Sequence, residues 1–421
     1  MKKLVLLSLL AGGSCLAQRL TLAEAEQTAL RNNPRIGSAS LVAQATAQQI
    51  NETRAATKPT VNGFLTGTGA EVGSAIGAGA LTTSSISNRA ATGLSLSQMV
   101  TDFGRTSNLT RTAKLRAAAQ EKSTGNTRAQ VLLEVRQAYY QALGADSVLQ
   151  VATAAVAARQ LSLRQIRALA QAQINSTLDV SFAEVALSEV ELALYQAEND
   201  ARESRARLSA AMGYPEEQNF TLVDEGNAAP LDADTAGFIS TALQERPDLQ
   251  ALRLNRDASQ RFAEAERRLR YPSITALAAG GVIPTHDHTL QDTYAAAGVN
   301  VTLPFLNGGL FSARYAEAQL RSQAADKDVQ DLTVQISRDV RVAWLQANTT
   351  FRRLAVTDRL QAQASEALRL AQARYEAGLG SIVELTQAQL TQTSAQIEAS
   401  RAKFDFLSRR ALLDYTTGAL R

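Results

Sequence analysis

The sequence predicts a mainly α-helical chain with membrane-type β-structure, in which four β-strands accompany long coiled-coil helices. Three observations support this fold class. The second half of the chain repeats the first, two long stretches lack proline, and a segment rich in Gly, Thr, Ser and Val precedes each stretch. Such long proline-free stretches predict helices that pack on one another, and alternating segments rich in Thr and Val predict strands.

The internal two-fold repeat follows a constant offset. Residues 134–142, EVRQAYYQA, correspond to residues 339–347, DVRVAWLQA, at an offset of 205 residues. The same offset holds from Gly93 to Gly213 without an insertion. Upstream, Pro59 and its counterpart Pro272 are 213 residues apart. The change of the offset from 213 to 205 residues therefore falls between Pro59 and Gly93. We therefore expect equal helix lengths in the two halves and one loop of variable length.

We predict two β-hairpins, one at about residues 60–100 and one at about residues 273–305. In the second strand of the first pair, Leu94 and Leu96 alternate with serines, and the second half repeats this alternation. A period of two over about ten residues is typical of a membrane strand with one lipid face and one wet face. A surface hairpin on a soluble protein is the alternative interpretation.

Each hairpin is followed by two helices, predicted at about 104–172 and 178–212, and again at about 309–377 and 382–417. Roughly 68 residues at 1.5 Å per residue give a long helix of about 100 Å. Apolar residues at alternating steps of four and three predict a coiled-coil seam along the first long helix. This seam consists of Val131, Val135, Ala138, Ala142, Ala145, Leu149, Ala152 and Val156.

The chain is predicted to divide into a signal peptide (1–17), a first repeat (18–214), a linker (215–235) and a second repeat (236–421). The signal has a basic start, a short apolar run and a small-residue cleavage site. Cys15 is the only cysteine, so an intrachain disulfide is impossible; it is either discarded with the signal or lipidated. No later apolar stretch is long enough for a transmembrane helix, so a membrane role would require strands.

The composition argues against an enzyme and against nucleic-acid binding. The formal charge is only +3, and two lysines of the predicted signal contribute to it. The sequence has neither a phosphate loop nor a nucleophile elbow, so we expect no catalytic residue and no cofactor. His286 and His288, the only histidines, flank an aspartate between two predicted strands. We interpret them as part of a solvated loop, with a metal site as the alternative.

Four strands are too few to close a membrane barrel. The smallest membrane barrels have about eight strands, and an open edge in lipid leaves backbone groups without hydrogen bonds. If these strands lie in a membrane, several chains must share one barrel. The sequence therefore predicts an obligate oligomer.

The doubled organisation, the fixed helical span and the tip segments 172–183 and 375–388 resemble the TolC family of outer-membrane efflux proteins, or outer membrane factors. This resemblance implies a TolC-like trimeric α/β-barrel. Its 12 strands would lie in outer-membrane lipid and its helices would form a periplasmic tunnel. It also implies a homotrimer that works with a periplasmic adaptor (membrane fusion) protein and an inner-membrane pump of RND, ABC or MFS type.

The implied function is the exit duct of a tripartite efflux or type I secretion system. Drug, metal and protein export would all use such a duct, so the sequence does not identify the cargo. The alternative is a structural coiled-coil protein of the cell envelope that forms no pore.

The resemblance also implies gate residues at the helix tips. Asp179 and Tyr375 match an acidic residue and a tyrosine that hold the family's entrance closed, whereas the matching arginine position is Gly380. Glu384 matches one position of the acidic rings that some members carry, and Gln387 replaces the second acid. Alternatively, Asp179 and Glu384 cap the returning helices.

The same tips are the adaptor-docking candidates. They combine small residues that permit the chain reversal with apolar residues that are unusual at a free turn. Local packing between neighbouring tips is the alternative. The docking candidates are Ile174, Ser176, Gly378, Leu379, Gly380 and Ser381.

Overall fold

The computed structural model describes residues 18–69, 89–173, 176–224, 226, 228–232, 234–286 and 291–420. The predicted signal peptide with Cys15 lies outside these ranges, and so do Ile174 and His288. The chain forms two compact units. The first comprises Met1–Ala39, Gly125–Pro247 and Thr333–Arg421, and the second comprises Ser40–Thr124 and Asp248–Leu332.

Six strands, eight α-helices and one short 3-10 helix (Arg268–Arg270) form the regular structure of the described residues. In the first half they are β1 (Gln18–Leu20), α1 (Leu22–Asn32), α2 (Pro34–Ala55), β2 (Thr60–Thr68), β3 (Arg89–Thr101), α3 (Arg105–Gln171) and α4 (Thr177–Ala211). In the second half they are β4 (Phe220–Leu222), α5 (Thr235–Glu245), α6 (Pro247–Arg267), β5 (Ser273–His286), β6 (Thr293–Thr302), α7 (Leu310–Glu376) and α8 (Ile382–Thr416).

Corresponding helices of the two halves have equal lengths. Helices α3 and α7 contain 67 residues each, and α4 and α8 contain 35 each. Left-handed backbone positions correspond as well. Phe103 (φ 54°) precedes Gly308 (φ 59°) by 205 residues, and Gln173 (φ 60°) precedes Gly378 (φ 71°) by the same offset. The two halves therefore repeat their turns as well as their helices.

The second unit contains a four-stranded antiparallel sheet with the order β2-β3-β5-β6. Directly opposite residues share a face of a sheet, so the register assigns each side chain to one of two faces. We call one of these the apolar face. It is exposed although it carries large aliphatic side chains; Leu65 is 83% exposed and Val299 is 68% exposed. The larger members of the apolar face are Val61, Leu65, Leu94, Leu96, Val282, Val299 and Val301.

We call the opposite face of this sheet the polar face, because it carries mostly small and polar side chains. In β3 its residues are half-buried or buried, whereas most of the alternating residues on the apolar face are exposed. The polar members include Asn62, Ser95, Ser97, Thr275, Asn300 and Thr302, and Leu277 is an aliphatic exception. In a soluble sheet the apolar face would be covered, so the exposure of its aliphatic side chains is unusual.

None of the helices in the described ranges has the length and apolar character that a membrane span requires.

The core of the first unit lies between α1, α3, α4 and α8. Val131 and Val135 of α3 are fully buried there against Leu208 of α4 and Phe406 of α8. These valines belong to the predicted coiled-coil seam. Small residues at neighbouring positions let the helices approach closely. At Gly144, for example, an added Cβ would lie 3.4 Å from Phe404 Cβ.

A short parallel strand pair, β1 with β4, is fixed to this core by Tyr139 of α3. The Tyr139 hydroxyl lies 2.8 Å from the carbonyl oxygens of both Leu20 and Val223. The predicted linker thus includes a strand. It also contacts the long helices, because Trp344 donates its indole N–H to Asp232 O at 2.9 Å.

An ion cluster joins three helices of the first unit. Arg136 Nε lies 2.5 Å from Glu26 of α1, and Arg136 Nη1 lies 3.4 Å from Asp414 of α8. Burial raises the pKa of the Asp414 carboxyl, while the positive charges of Arg136 and Arg410 act in the opposite direction. The ionised form of Asp414 is therefore less favourable in the folded chain than in water.

Candidate functional site

The candidate site consists of the two turns at which the long helices reverse, both in the first unit. We call residues 172–179 the first tip, of which the structure describes all but 174 and 175, and residues 377–384 the second tip. An apolar cluster of Leu163, Ile166, Ala183, Ile382 and Leu385 lies beside them and draws α3, α4 and α8 together.

The second tip ends α7 with a glycine turn. Leu379 and Gly380 both donate their N–H groups to Arg374 O, at 2.8 and 3.0 Å, and Gly378 donates to Tyr375 O at 3.0 Å. This pattern satisfies the last carbonyls of the helix and requires a left-handed residue at Gly378. At the first tip, the equivalent left-handed residue is Gln173. A side chain there is strained because its Cβ crowds the following carbonyl.

Serines begin both returning helices. Ser176 Oγ accepts from Leu178 N at 3.1 Å, and the Asp179 carboxylate accepts from Ser176 N at 3.4 Å, which completes a capping box. Ser381 Oγ accepts from Glu384 N at 3.1 Å. Asp179 thus serves as a helix cap, as the alternative interpretation of this residue expected.

Glu384 has a different partner. Its carboxylate lies 3.2 Å from Arg374 Nε, across the turn, with the two side chains 44% and 56% exposed. Arg374 Nη2 also donates to Leu379 O at 3.1 Å. The guanidinium therefore joins the end of α7, the middle of the turn and the start of α8.

Gly380 provides the space for this ion pair. A Cβ at Gly380 would lie 3.2 Å from Arg374 Cβ and 3.3 Å from Glu384 Oε2. Any side chain at this position would crowd both partners. The second tip thus has an arginine, but Arg374 supplies it from the end of α7 instead of position 380.

We did not predict Arg374 from the sequence, because the position that matches the family's arginine is Gly380. A usable signal was present in the sequence, since Arg374 directly precedes the gate candidate Tyr375 and can reach Glu384 across a short turn. Tyr375 itself is half-buried and packs against the apolar cluster beside the tips.

Both tips carry exposed apolar side chains. Leu379 is 73% exposed at the second tip, and Leu178 is 59% exposed at the first. Val383 and Phe182 extend the apolar surface onto α8 and α4. The structure therefore places Leu379 among several exposed apolar residues, while Ile174 lies outside the described ranges.

His286, the described member of the histidine pair, lies beside a carboxylate. His286 Nε2 lies 2.7 Å from Asp292 Oδ1, and His288 is outside the described residues. Across the ranges that the structure covers, no group of three or more His, Cys, Asp or Glu side chains could hold a metal ion.

Comparison with known proteins identifies the family. A sequence model of the family described as outer membrane efflux protein matches residues 25–214 and 238–419, one stretch in each half. The chain belongs to the outer membrane efflux protein family. The predicted family membership and the outer-membrane localisation are confirmed by this match and by relatives that are named outer membrane proteins.

This efflux protein resembles several known members. It is 28% identical to outer membrane protein OprJ of Pseudomonas aeruginosa over 370 residues, which cover 86% of this chain and 76% of OprJ. It is 22% identical to outer membrane protein TolC of Escherichia coli over 448 residues, covering 100% of this chain and 87% of TolC. Its fold matches the crystal structure of VceC from Vibrio cholerae with a TM-score of 0.79 and 18% identity, covering 94% and 96% of the two chains.

These likenesses confirm the predicted TolC-like fold. Family and fold are those of channel proteins and not of enzymes. The division into signal peptide, repeats and linker stays a prediction, as do the roles of the gate and docking residues.

Proposed function

We propose that this efflux protein is the exit duct of a tripartite efflux or type I secretion system. It receives cargo from an inner-membrane pump of RND, ABC or MFS type through a periplasmic adaptor protein and releases it outside the cell. The single observation that carries the proposal is the exposure of the apolar face of the sheet, with its large aliphatic side chains.

The apolar face is suited to lipid. Leu65, Leu94 and Val299 are each more than half exposed on one side of four neighbouring strands. Aliphatic side chains in water would cost free energy at about 25 cal/mol per Å² of apolar surface. The same surface in a bilayer costs nothing. The polar face is then the wet side, along which cargo moves.

The sheet edges favour an oligomer in which several copies close one barrel. Strands β2 and β6 are the outer strands of the described sheet. In lipid, each unpaired backbone group on such an edge would cost several kcal/mol. Further copies remove this cost if β6 of one chain pairs with β2 of the next. Three copies would give twelve strands, as the family resemblance implies.

The tips are the proposed gate and the adaptor-docking surface. Exposed Leu379 and Leu178 are suited to an apolar partner surface. The Arg374–Glu384 pair holds the second tip in its present shape, and Tyr375 packs behind it. In the proposed resting duct these contacts keep the entrance narrow, and the adaptor loosens them.

The test combines mass and conductance. The purified protein in detergent should have the mass of three chains, and it should give stepwise single-channel conductance in planar bilayers. Monomers without conductance would overturn the proposal. A trimer without conductance would favour the structural coiled-coil protein of the envelope.

A further inference from the structure

Four residues form one row across the sheet. Phe64 of β2 is directly opposite Gly93 of β3, Gly93 is opposite Gly281 of β5, and Gly281 is opposite Tyr294 of β6. All four belong to the polar face. The row therefore places an aromatic residue on each outer strand and a glycine on each inner strand.

The glycines make room for the Tyr294 side chain. Its hydroxyl oxygen lies 2.5 Å from the position of a Cβ on Gly281 and 2.2 Å from the position of a Cβ on Gly93. The side chain thus extends from β6 over β5 to β3. There it meets Phe64, with 6.3 Å between the ring centroids and 35° between the ring planes. We call Phe64 and Tyr294 the aromatic strip.

The aromatic strip is not explained by hydrogen bonding. The Tyr294 hydroxyl is buried and has no hydrogen-bond partner among the described residues. Both aromatic side chains are half-buried, so part of each ring is open to the polar side of the sheet. The strip therefore exposes aromatic ring surface on the polar face.

We propose that the aromatic strip is a stacking site for planar aromatic cations that pass along the polar face. This inference rests on the proposed function, in which that face lines the path of the cargo. Aromatic faces attract cations through their negative quadrupole and stack with other rings. The next residues of the polar face on one side of the row, such as Ser95 and Ala296, are neutral.

The position of the strip extends this argument to the assembly. Phe64 and Tyr294 lie on β2 and β6, which are the outer strands of the sheet. If β6 pairs with β2 of a second copy, each copy places one such strip on the shared polar face.

The first experiment uses the full-length protein in planar bilayers with two monovalent cations, planar aromatic ethidium and aliphatic tetrapropylammonium. Ethidium should reduce the wild-type conductance at the lower concentration. Tyr294→Leu and Phe64→Leu should each raise its half-blocking concentration about two- to fivefold, as expected for an exposed cation–π contact. The block by tetrapropylammonium should not change.

Tyr294→Phe is the matched control, because it keeps the ring and removes only the unpartnered hydroxyl. It should retain the wild-type block by ethidium. Equal block by both cations, or a block that survives in Tyr294→Leu and Phe64→Leu, would overturn the stacking site while leaving the duct in place.

A titration of ethidium fluorescence with the detergent-solubilised protein does not depend on conduction. Binding that weakens in both leucine variants and persists in Tyr294→Phe supports the site. Absence of wild-type binding overturns it, whatever the conductance shows. Absence of conductance together with intact binding would instead count against the proposed duct.

Discussion

Arg374 and Glu384 face each other across the turn between α7 and α8, with 3.2 Å between the guanidinium Nε and the carboxylate. Glycine at position 380 leaves the space that this pair occupies. Its two partners belong to different helices. Breaking it should therefore affect the shape of the tip more than the stability of either helix.

Arg374→Ala should raise the resting conductance of the duct with little loss of stability. An exposed ion pair contributes at most about 1 kcal/mol, so the thermal transition should move little. The control is Arg369→Ala, which removes another exposed pair, with Glu366, from α7 before the tip. Single-channel recording without adaptor gives the readout. An unchanged resting conductance in Arg374→Ala would mean that other contacts close the entrance.

Gln173→Gly should stabilise the first tip. The left-handed conformation of Gln173 (φ 60°) costs about 1–2 kcal/mol that glycine avoids. The greater freedom of unfolded glycine offsets about 0.4–1 kcal/mol of this, so the net gain is up to about 1.6 kcal/mol. Gly378→Gln at the equivalent position of the second tip should have the opposite effect. Thermal unfolding in detergent measures both, and a loss of stability in Gln173→Gly would contradict the strain.

Gly93→Ala should destabilise the sheet. The new Cβ would lie 2.5 Å from Gly280 O and 2.2 Å from the Tyr294 hydroxyl, so the backbone of β5 must move. Overpacking of this kind costs about 1–3 kcal/mol. Gly63→Ala is the control on the apolar face, since its nearest neighbour there would be Leu94 Cδ2 at 3.7 Å. Equal yields and melting temperatures for both variants would contradict the close approach of Tyr294.

Val299→Lys and Asn300→Lys test the two faces of β6 with the same side chain at adjacent positions. Lysine at Val299 would enter the lipid and cost about 2–4 kcal/mol near the bilayer midplane, less near the surface. Lysine at Asn300 would enter the wet side and repel cations. We expect reduced outer-membrane assembly from the first variant. The second should assemble normally and show lower cation selectivity in reversal-potential measurements. The reverse pattern would mean that the faces are assigned the wrong way round.

Asp414→Asn should flatten the pH dependence of stability. Burial raises the pKa of Asp414, so the folded chain binds this proton more readily than the unfolded chain. The resulting contribution to the free energy of unfolding is fully present below the unfolded-state pKa of Asp414. It is lost as the pH rises through the folded-state pKa of this carboxyl. Thermal unfolding between about pH 4 and pH 7 covers the range above an ordinary aspartate pKa.

The matched control for this pH series is Asp405→Asn, which removes a half-buried carboxylate that pairs with Arg409 on the same helix. A wild-type pH profile in Asp414→Asn would show that this carboxyl is not the titrating group.

Local signals predicted much of the fold. Proline positions and apolar periodicity are visible within a few turns of chain, so the long helices were predicted to within a few residues of α3 and α7. The β1–β4 pair was missed because its strands have three residues each and their pairing joins distant parts of the chain. Neither short strand has a pattern of its own.

The candidate site was only partly accessible from the sequence. The caps at Ser176 and Ser381 follow from helix-start chemistry, which depends on neighbouring residues. The Arg374–Glu384 pair depends on the direction in which α7 leaves its last turn, and the sequence does not contain that direction. The row from Phe64 to Tyr294 depends on the register of three strand pairings. Apolar and polar residues alternate poorly in β2, so the sequence does not specify this register.

The matched helix lengths set a rule for changing the reach of this protein. Adding one residue to α3 alone would advance its end by about 1.5 Å and turn it by about 100° relative to α7. The tips would then point in different directions. Adding seven residues, close to two full turns, to all four long helices would restore their direction and extend each by about 10 Å. Such a duct can therefore be lengthened only in steps, and only in both halves of the gene at once.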